Sequence, residues 1–410
     1  MKNLKSSYLA EFSALVLKFG VNLQKGQGLE IACPVECEKT ARAMTKVAYE
    51  MGASIVRIRW ENDATDRLNL LYADKRALTD VPKWFVDSKN DLVKKNFCYV
   101  AIAAEDPSAF KGIPDDRLAA YSLARRKALK KFSEKVMANG IRWCVVSVPT
   151  AKWAKQVFPD SKNPLHDLNE AIKKTMRLDK ENPEKEWDEH IFTLSKRANF
   201  LTNCDFDYLH FENSIGTDLK VGLADGHVWL SAKEKAEDGV EFIANMPTEE
   251  VFTAPHLKRV EGKVFSALPL SYNGQIIDGF SLEFKEGKIV NFAAKKGYSA
   301  LKSLIETDEG TLRLGEVALI GKNSPIAQSG ILFYNTLFDE NASCHIAIGK
   351  GYPTTIKGGE NLSKDELLSR GVNDSVEHVD FMIGTPDLKV TGVKKSGEKV
   401  TLFIDGEWAI

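Results

Sequence analysis

Six residues in the second half of the chain are of the types that ligate metal ions: Glu250, Glu316, Glu340, His345, His378 and Asp380. Each heads or interrupts an apolar run. In "VEHVDFMIG", strand alternation puts His378, Asp380 and Met382 on one face and Val379, Phe381 and Ile383 on the other. A carboxylate turned toward a core is costly unless it is paired or bound to a cation. An imidazole and a carboxylate two positions apart can converge on one ion, although by itself such a pair is equally a buried ion pair. The pattern recurs. "RLGEVALIG" sets Glu316 in an otherwise apolar strand, "TEEVFTAP" heads another with Glu249 and Glu250, and "FDENASCHIAIG" offers Asp339, Glu340 and His345. Alternation would place Glu340 and His345 on opposite faces, so "NAS" must form a turn or bulge for both to reach one site.

These carboxylates and imidazoles suit two hard-to-borderline divalent ions held by oxygen and nitrogen, such as Zn²⁺, Co²⁺ or Mn²⁺. Two such ions can activate a shared water and polarise a carbonyl. The lack of thiolates in the set argues against a purely structural zinc site. The same donors fit a two-metal hydrolase of another bond, such as a phosphoester, or a metal-stabilised small-molecule binding protein. A peptide-binding scaffold is a third alternative. His166, His190, His210, His227 and His256 lack this setting and read as structural or surface groups. Other chemistries lose their signatures: there is no P-loop, no G-x-G-x-x-G after the first strand, no G-x-S-x-G and no H-E-x-x-H.

The elements that must position these residues change character along the chain. The first half alternates strands ("GLEIAC", "SIVRIRW", "FCYVAIAA", "RWCVVSVP") with helices ("EKTARAMTKVAYEMG", "DDRLAAYSLARRKALKKFSEKVMANG"). That order predicts an α/β domain with a mainly parallel sheet. Two helices then open at Asn-Pro, "NPLHDLNEAIKKTMRLD" and "NPEKEWDEHIFTLSKRANFL". Beyond Asn203 short strands dominate, with hairpin turns at "KEGK" and around Ser396-Gly397. The expectation is an N-terminal α/β domain over 1–203 and an α+β C-terminal domain over 204–410, mostly antiparallel and carrying the metal ligands.

With 410 residues the chain is long enough for two cores. Its 56 basic and 57 acidic residues argue against nucleic acid or an anionic membrane as the main partner. Six scattered cysteines read as buried thiols of a reducing cytoplasm. The N-terminal stretch has no signal-peptide pattern, and no apolar run approaches membrane-spanning length.

"NMPTEEVFTAP", "LGEVALIG", "ENASCHIAIGKGYP" and "GVNDSVEHVDFMIG" resemble the signature segments of the thermophilic metallo-aminopeptidase family, which includes aminopeptidases T, S and II. "GVNLQKGQGLEIACPVE", "WDEH" at 187–190 and "GTDLKVGLADGHVW" at 216–229 resemble it too, so the likeness runs essentially the full length. The resemblance implies an exopeptidase that uses two divalent ions to release N-terminal residues from peptides with a free N-terminus, usually as a homodimer. It carries the ligand roles onto Glu250, Glu316, Glu340, His345, His378 and Asp380, and a catalytic role onto Tyr352 in "GKGYP". Tyr352 would donate a hydrogen bond to the tetrahedral oxyanion. One departure stands out. The residue before Glu250 is commonly glycine in the family and is Glu249 here; strand alternation turns Glu249 away from Glu250, toward solvent.

Overall fold

Each apolar run of the first half becomes a strand of one parallel sheet. In the computed structural model the described residues are 6–104, 106–273 and 275–410. Gly28–Pro34 pairs in parallel with Ile55–Glu61 on one side and Cys98–Ile102 on the other, and Trp143–Val146 follows. Gly28–Pro34 is buried along its whole length, as a central parallel strand with both faces covered must be. Helices Glu38–Glu50 and Asp115–Met137 supply two of the crossovers. The alternating pattern read from the sequence therefore gives an α/β unit with a parallel sheet.

The fifth strand comes from far along the chain. Asn245–Met246 pairs in parallel with Trp143–Val146 and completes the order 55–61, 28–34, 98–102, 143–146, 245–246. The chain accordingly separates into two units, 1–188 with 233–247 and 189–232 with 248–410. The segment 233–247 is held to the rest of the first unit by polar contacts as well as by this strand pairing. Asn139 donates to Glu234 at 2.7 Å, Asn22 donates to the Glu241 carbonyl at 2.8 Å, and buried Arg142 lies 3.1 Å from Asp238.

The second unit is built on antiparallel sheets. One has eight strands, among them Phe206–Glu212, Asp218–Leu223, Pro255–Phe265 and Lys389–Lys394. The expected hairpins are present as Ser281–Lys285 with Lys288–Ala293 and Lys389–Lys394 with Lys399–Ile404. The other main sheet has four strands in the order Val251–Thr253, Leu314–Leu319, His345–Gly349, His378–Met382. All six cysteines are free thiols, five of them buried. No helix of the described residues is long and apolar enough to cross a membrane.

Candidate metal centre

Cross-strand partners in an antiparallel sheet share a face. Phe252 pairs with Ala318, Ala318 with His345, and His345 with Met382. Glu316 pairs with Ala347, Ala347 with Asp380, and Gly349 with His378. Glu316, His345, His378 and Asp380 therefore project from one face of the four-stranded sheet. Ala318, Ala347 and Gly349 between them put no side chain larger than a methyl group among the donors. Glu250 precedes Phe252 by two residues and joins the same side from just outside the strand.

The donor atoms converge. His345 Nε2 lies 3.3 Å from Glu250 Oε2, 3.3 Å from Glu316 Oε1 and 3.9 Å from Asp380 Oδ1. His378 Nε2 lies 3.8 Å from Glu316 Oε2 and 3.4 Å from Asp380 Oδ1. Two triads result, Glu250–Glu316–His345 and Glu316–His378–Asp380, and Glu316 belongs to both through different oxygens.

Both imidazoles are oriented by main-chain carbonyls. His345 Nδ1 donates to the Glu340 carbonyl at 2.9 Å, and His378 Nδ1 donates to the Lys350 carbonyl at 2.7 Å. A carbonyl only accepts, so Nδ1 carries the proton and Nε2 is turned toward the carboxylates. In the neutral ring this sets a lone pair against carboxylate oxygens, a repulsive arrangement that a proton or a metal cation relieves. An outer carbonyl that fixes the tautomer is also the usual support of a metal-ligating histidine.

Without a cation the electrostatics take the proton route. Burial disfavours the His378 imidazolium, but Asp380 and then Glu316 outweigh it and raise its pKa to about 10. Burial likewise opposes the His345 cation, and Glu250 and Glu316 overcome it, holding its pKa well above the usual range. Burial pushes Glu316 up to about 7 and Glu340 well above the ordinary carboxylate range, with Asp380 adding to both. Asp380 resists its burial because His378 stabilises its charge, and its pKa is lowered. Its buried Oδ1, although close to His378 Nε2, has no aligned hydrogen-bond partner. Orphaned carboxylate oxygen, imidazole lone pairs and an all-oxygen-and-nitrogen donor set fit a divalent metal centre.

The structure treats the remaining sequence candidates differently. Glu340 stands outside both triads, yet its buried carboxylate feels Asp380, Glu250 and His345. It sits on a short 3-10 turn, Glu340–Ala342, which is the turn that "NAS" had to provide. Tyr352 packs edge-on against the His378 ring at 5.0 Å and against Phe252 at 6.0 Å. Asp339 is turned away: its carboxylate accepts from the main-chain N–H groups of Phe333 and Asn335 at 2.8 and 3.0 Å.

Glu249 corrects the alternation argument. It is buried rather than solvated, with Oε2 3.5 Å from His190 Nε2. The strand begins only at Val251, so alternation does not govern the two residues before it. His190 in turn contacts the Thr248 carbonyl at 2.7 Å. Asn341, Phe252 and the Lys350 carbonyl were not singled out from sequence. A carbonyl leaves no residue-type signal, and a buried asparagine or phenylalanine reads as ordinary core.

Fold and site together describe a protein that gathers carboxylates and imidazoles, the donor types of a metalloprotein, on one face of an antiparallel sheet. The thermophilic metalloprotease (M29) family model matches residues 5–408, and the chain belongs to that family. It is 41% identical over 403 residues to aminopeptidase 2 of Geobacillus stearothermophilus, covering 98% of this chain and 97% of the relative. Aminopeptidase AmpS of Bacillus subtilis is also 41% identical, with 98% and 99% covered. Wild-type AmpT from Thermus thermophilus has a structure that superposes with a TM-score of 0.91 at 34% identity, covering 98% of this chain and 99% of that one. A 2,5-dihydroxypyridine dioxygenase from Pseudomonas putida shares the fold alone, at 11% identity and a TM-score of 0.53. One frame thus serves more than one chemistry, and the site must carry the functional argument.

Proposed function

We propose that the protein is a metal-dependent aminopeptidase that releases N-terminal residues from peptides with a free α-amine. Membership of the metalloprotease family and the names of its relatives support this reading. The observation that carries it furthest is the sharing of Glu316 by two donor triads on one sheet face. Glu250, Glu316 and His345 would hold one divalent ion and Glu316, His378 and Asp380 the other, with Glu340 beside them. Zn²⁺, Co²⁺ and Mn²⁺ all suit such donors. When bound, such ions supply a lowered pKa for water and polarisation of the scissile carbonyl.

The chain's own groups supply the remainder. The carbonyls of Glu340 and Lys350 hold His345 and His378 in the ligating tautomer. The Tyr352 hydroxyl donates a hydrogen bond to the developing oxyanion, a contribution of about 10²–10³ in rate. The wider reading is a cytoplasmic homodimer whose catalytic domain is the second unit, 189–232 with 248–410.

Treatment with a chelator should abolish hydrolysis of an aminoacyl-p-nitroanilide, and Co²⁺, Zn²⁺ or Mn²⁺ should restore it. The N-acetylated substrate should not be turned over. Full activity of a His378→Ala/Asp380→Ala double variant freed of metal would overturn the assignment. Turnover of p-nitrophenyl phosphate in place of the anilide would favour a two-metal phosphoesterase on the same donors.

A further inference from the structure

The segment that delivers Glu250 reaches the site before its strand begins, so no sheet partner fixes its backbone there. Side chains do: His190 meets the Thr248 carbonyl at 2.7 Å, and Asn341 holds the N–H on the other side of the same peptide. Asn341 is fully buried, and its Oδ1 accepts the main-chain N–H of Glu249 at 2.7 Å. Its amide group donates to the Leu337 carbonyl at 2.9 Å, which sets the amide orientation. Its own carbonyl accepts from the Ser324 hydroxyl at 3.1 Å. Asn341 directly follows Glu340 on the 340–342 turn, and the Glu340 carbonyl is what orients His345. Three of the candidate ligands therefore hang on this turn: Glu340 by its side chain, His345 through the Glu340 carbonyl, and Glu250 through the Asn341 amide.

We infer that Asn341 is a positioning residue of the metal centre, fixing Glu250 relative to Glu340 and His345 by clamping the Glu249 peptide. It touches no reacting atom. This rests on the metallo-aminopeptidase reading, because it assigns Asn341 a role in holding ions at that site. The bland alternative is that Asn341 merely cross-links two buried loops. The two differ in what the loss of the amide changes. A cross-link lost anywhere lowers stability. A lost positioning contact also changes how the ions are held, typically by about 10–100-fold in metal affinity for an outer-shell partner.

The test uses the full-length protein loaded with Co²⁺, with affinity measured by competition against a chelator and geometry followed by the visible absorption of the bound ion. Asn341→Ala should bind at least one ion about 10–100-fold more weakly and show altered Co²⁺ bands. Asn341→Asp keeps the acceptor for the Glu249 N–H and should recover much of the wild-type spectrum. Ser324→Ala loosens the same turn without touching the amide. It should lower thermal stability while leaving the bands in place. If Asn341→Ala does not fold, Asn341→Ser is measured instead, since its shorter side chain also loses the reach to Glu249. A folded Asn341→Ala or Asn341→Ser variant with wild-type Co²⁺ affinity and spectrum overturns the inference, whatever its melting temperature. A wild-type protein that binds no Co²⁺ would instead overturn the metal reading beneath it.

Discussion

At the scale of the residue, Tyr352 combines two separable features. Its ring packs edge-on against His378, while its hydroxyl is the group proposed to meet the oxyanion. Tyr352→Phe keeps the ring and removes only the hydroxyl. It should lower kcat by about 10²–10³ with KM and metal affinity little changed. Tyr352→Ala removes both and should also weaken metal binding, because the ring that confines His378 is gone. Equal metal affinities and equal kcat for the two variants would contradict this division. The metal-free cluster makes a second prediction, about pH. His378 is raised from 6.5 to about 10 and Glu316 from 4.5 to about 7. A group whose folded pKa lies above its unfolded one stabilises the fold while protonated, and that contribution is lost as pH rises through the folded value. The metal-free protein should therefore lose stability as pH climbs from about 5 to about 10. Bound metal replaces those protons, so the gap in Tm between loaded and metal-free protein should widen with pH across this range. A gap that stays constant from pH 5 to pH 9 would contradict the proton-filled cluster.

At the scale of the element, the four-stranded sheet works by leaving space. Ala347 pairs with both Glu316 and Asp380 and has no side chain beyond Cβ to block them. Ala347→Leu should place a branched chain among the donors and abolish metal binding while the protein still folds, at an over-packing cost of about 1–3 kcal/mol. Metal content after dialysis checks this, and wild-type stoichiometry in the variant would refute it. Gly349 is constrained from another side. Its φ is +105°, and a Cβ there would sit 2.2 Å from the Glu377 carbonyl, next to the residue that pairs with it, His378. Gly349→Ala should shift the His378 strand and lower metal affinity and Tm together. Much of this sheet was legible beforehand. Alternation put His378 and Asp380 on one face, and the interrupted run around Glu316 marked another strand of the same kind. Glu249 was misread because alternation was carried past the start of its strand. Asn341 was missed because the hydrogen bond to Glu249 joins segments 92 residues apart, and nothing local announces it.

At the scale of the whole molecule, the alternating first half and the hairpin-rich second half were visible because each is a matter of periodicity. The division between them was harder. Composition changes near residue 203, but the units divide at 188, and 233–247 belong with the first. A strand of two residues, Asn245–Met246, carries no periodic signal, and its pairing with Trp143–Val146 is purely long-range. A fragment ending at residue 203 lacks this strand and the contacts of the Glu234 and Asp238 carboxylates and the Glu241 carbonyl. It should unfold at lower urea than a fragment in which 1–188 is joined by a flexible linker to 233–247. Identical midpoints would mean that the returning segment adds nothing to the first unit. The same topology bears on how the protein is made. A ribosome releases residues 189–232 of the second unit before the last strand of the first sheet exists. At the usual elongation rates, the nascent Trp143–Val146 strand waits about 5–20 s with an open edge before Asn245–Met246 emerges to cover it. For that interval the growing chain presents a template to which other strands can add, and a chaperone that shields it would act on the first unit while the second is still being translated.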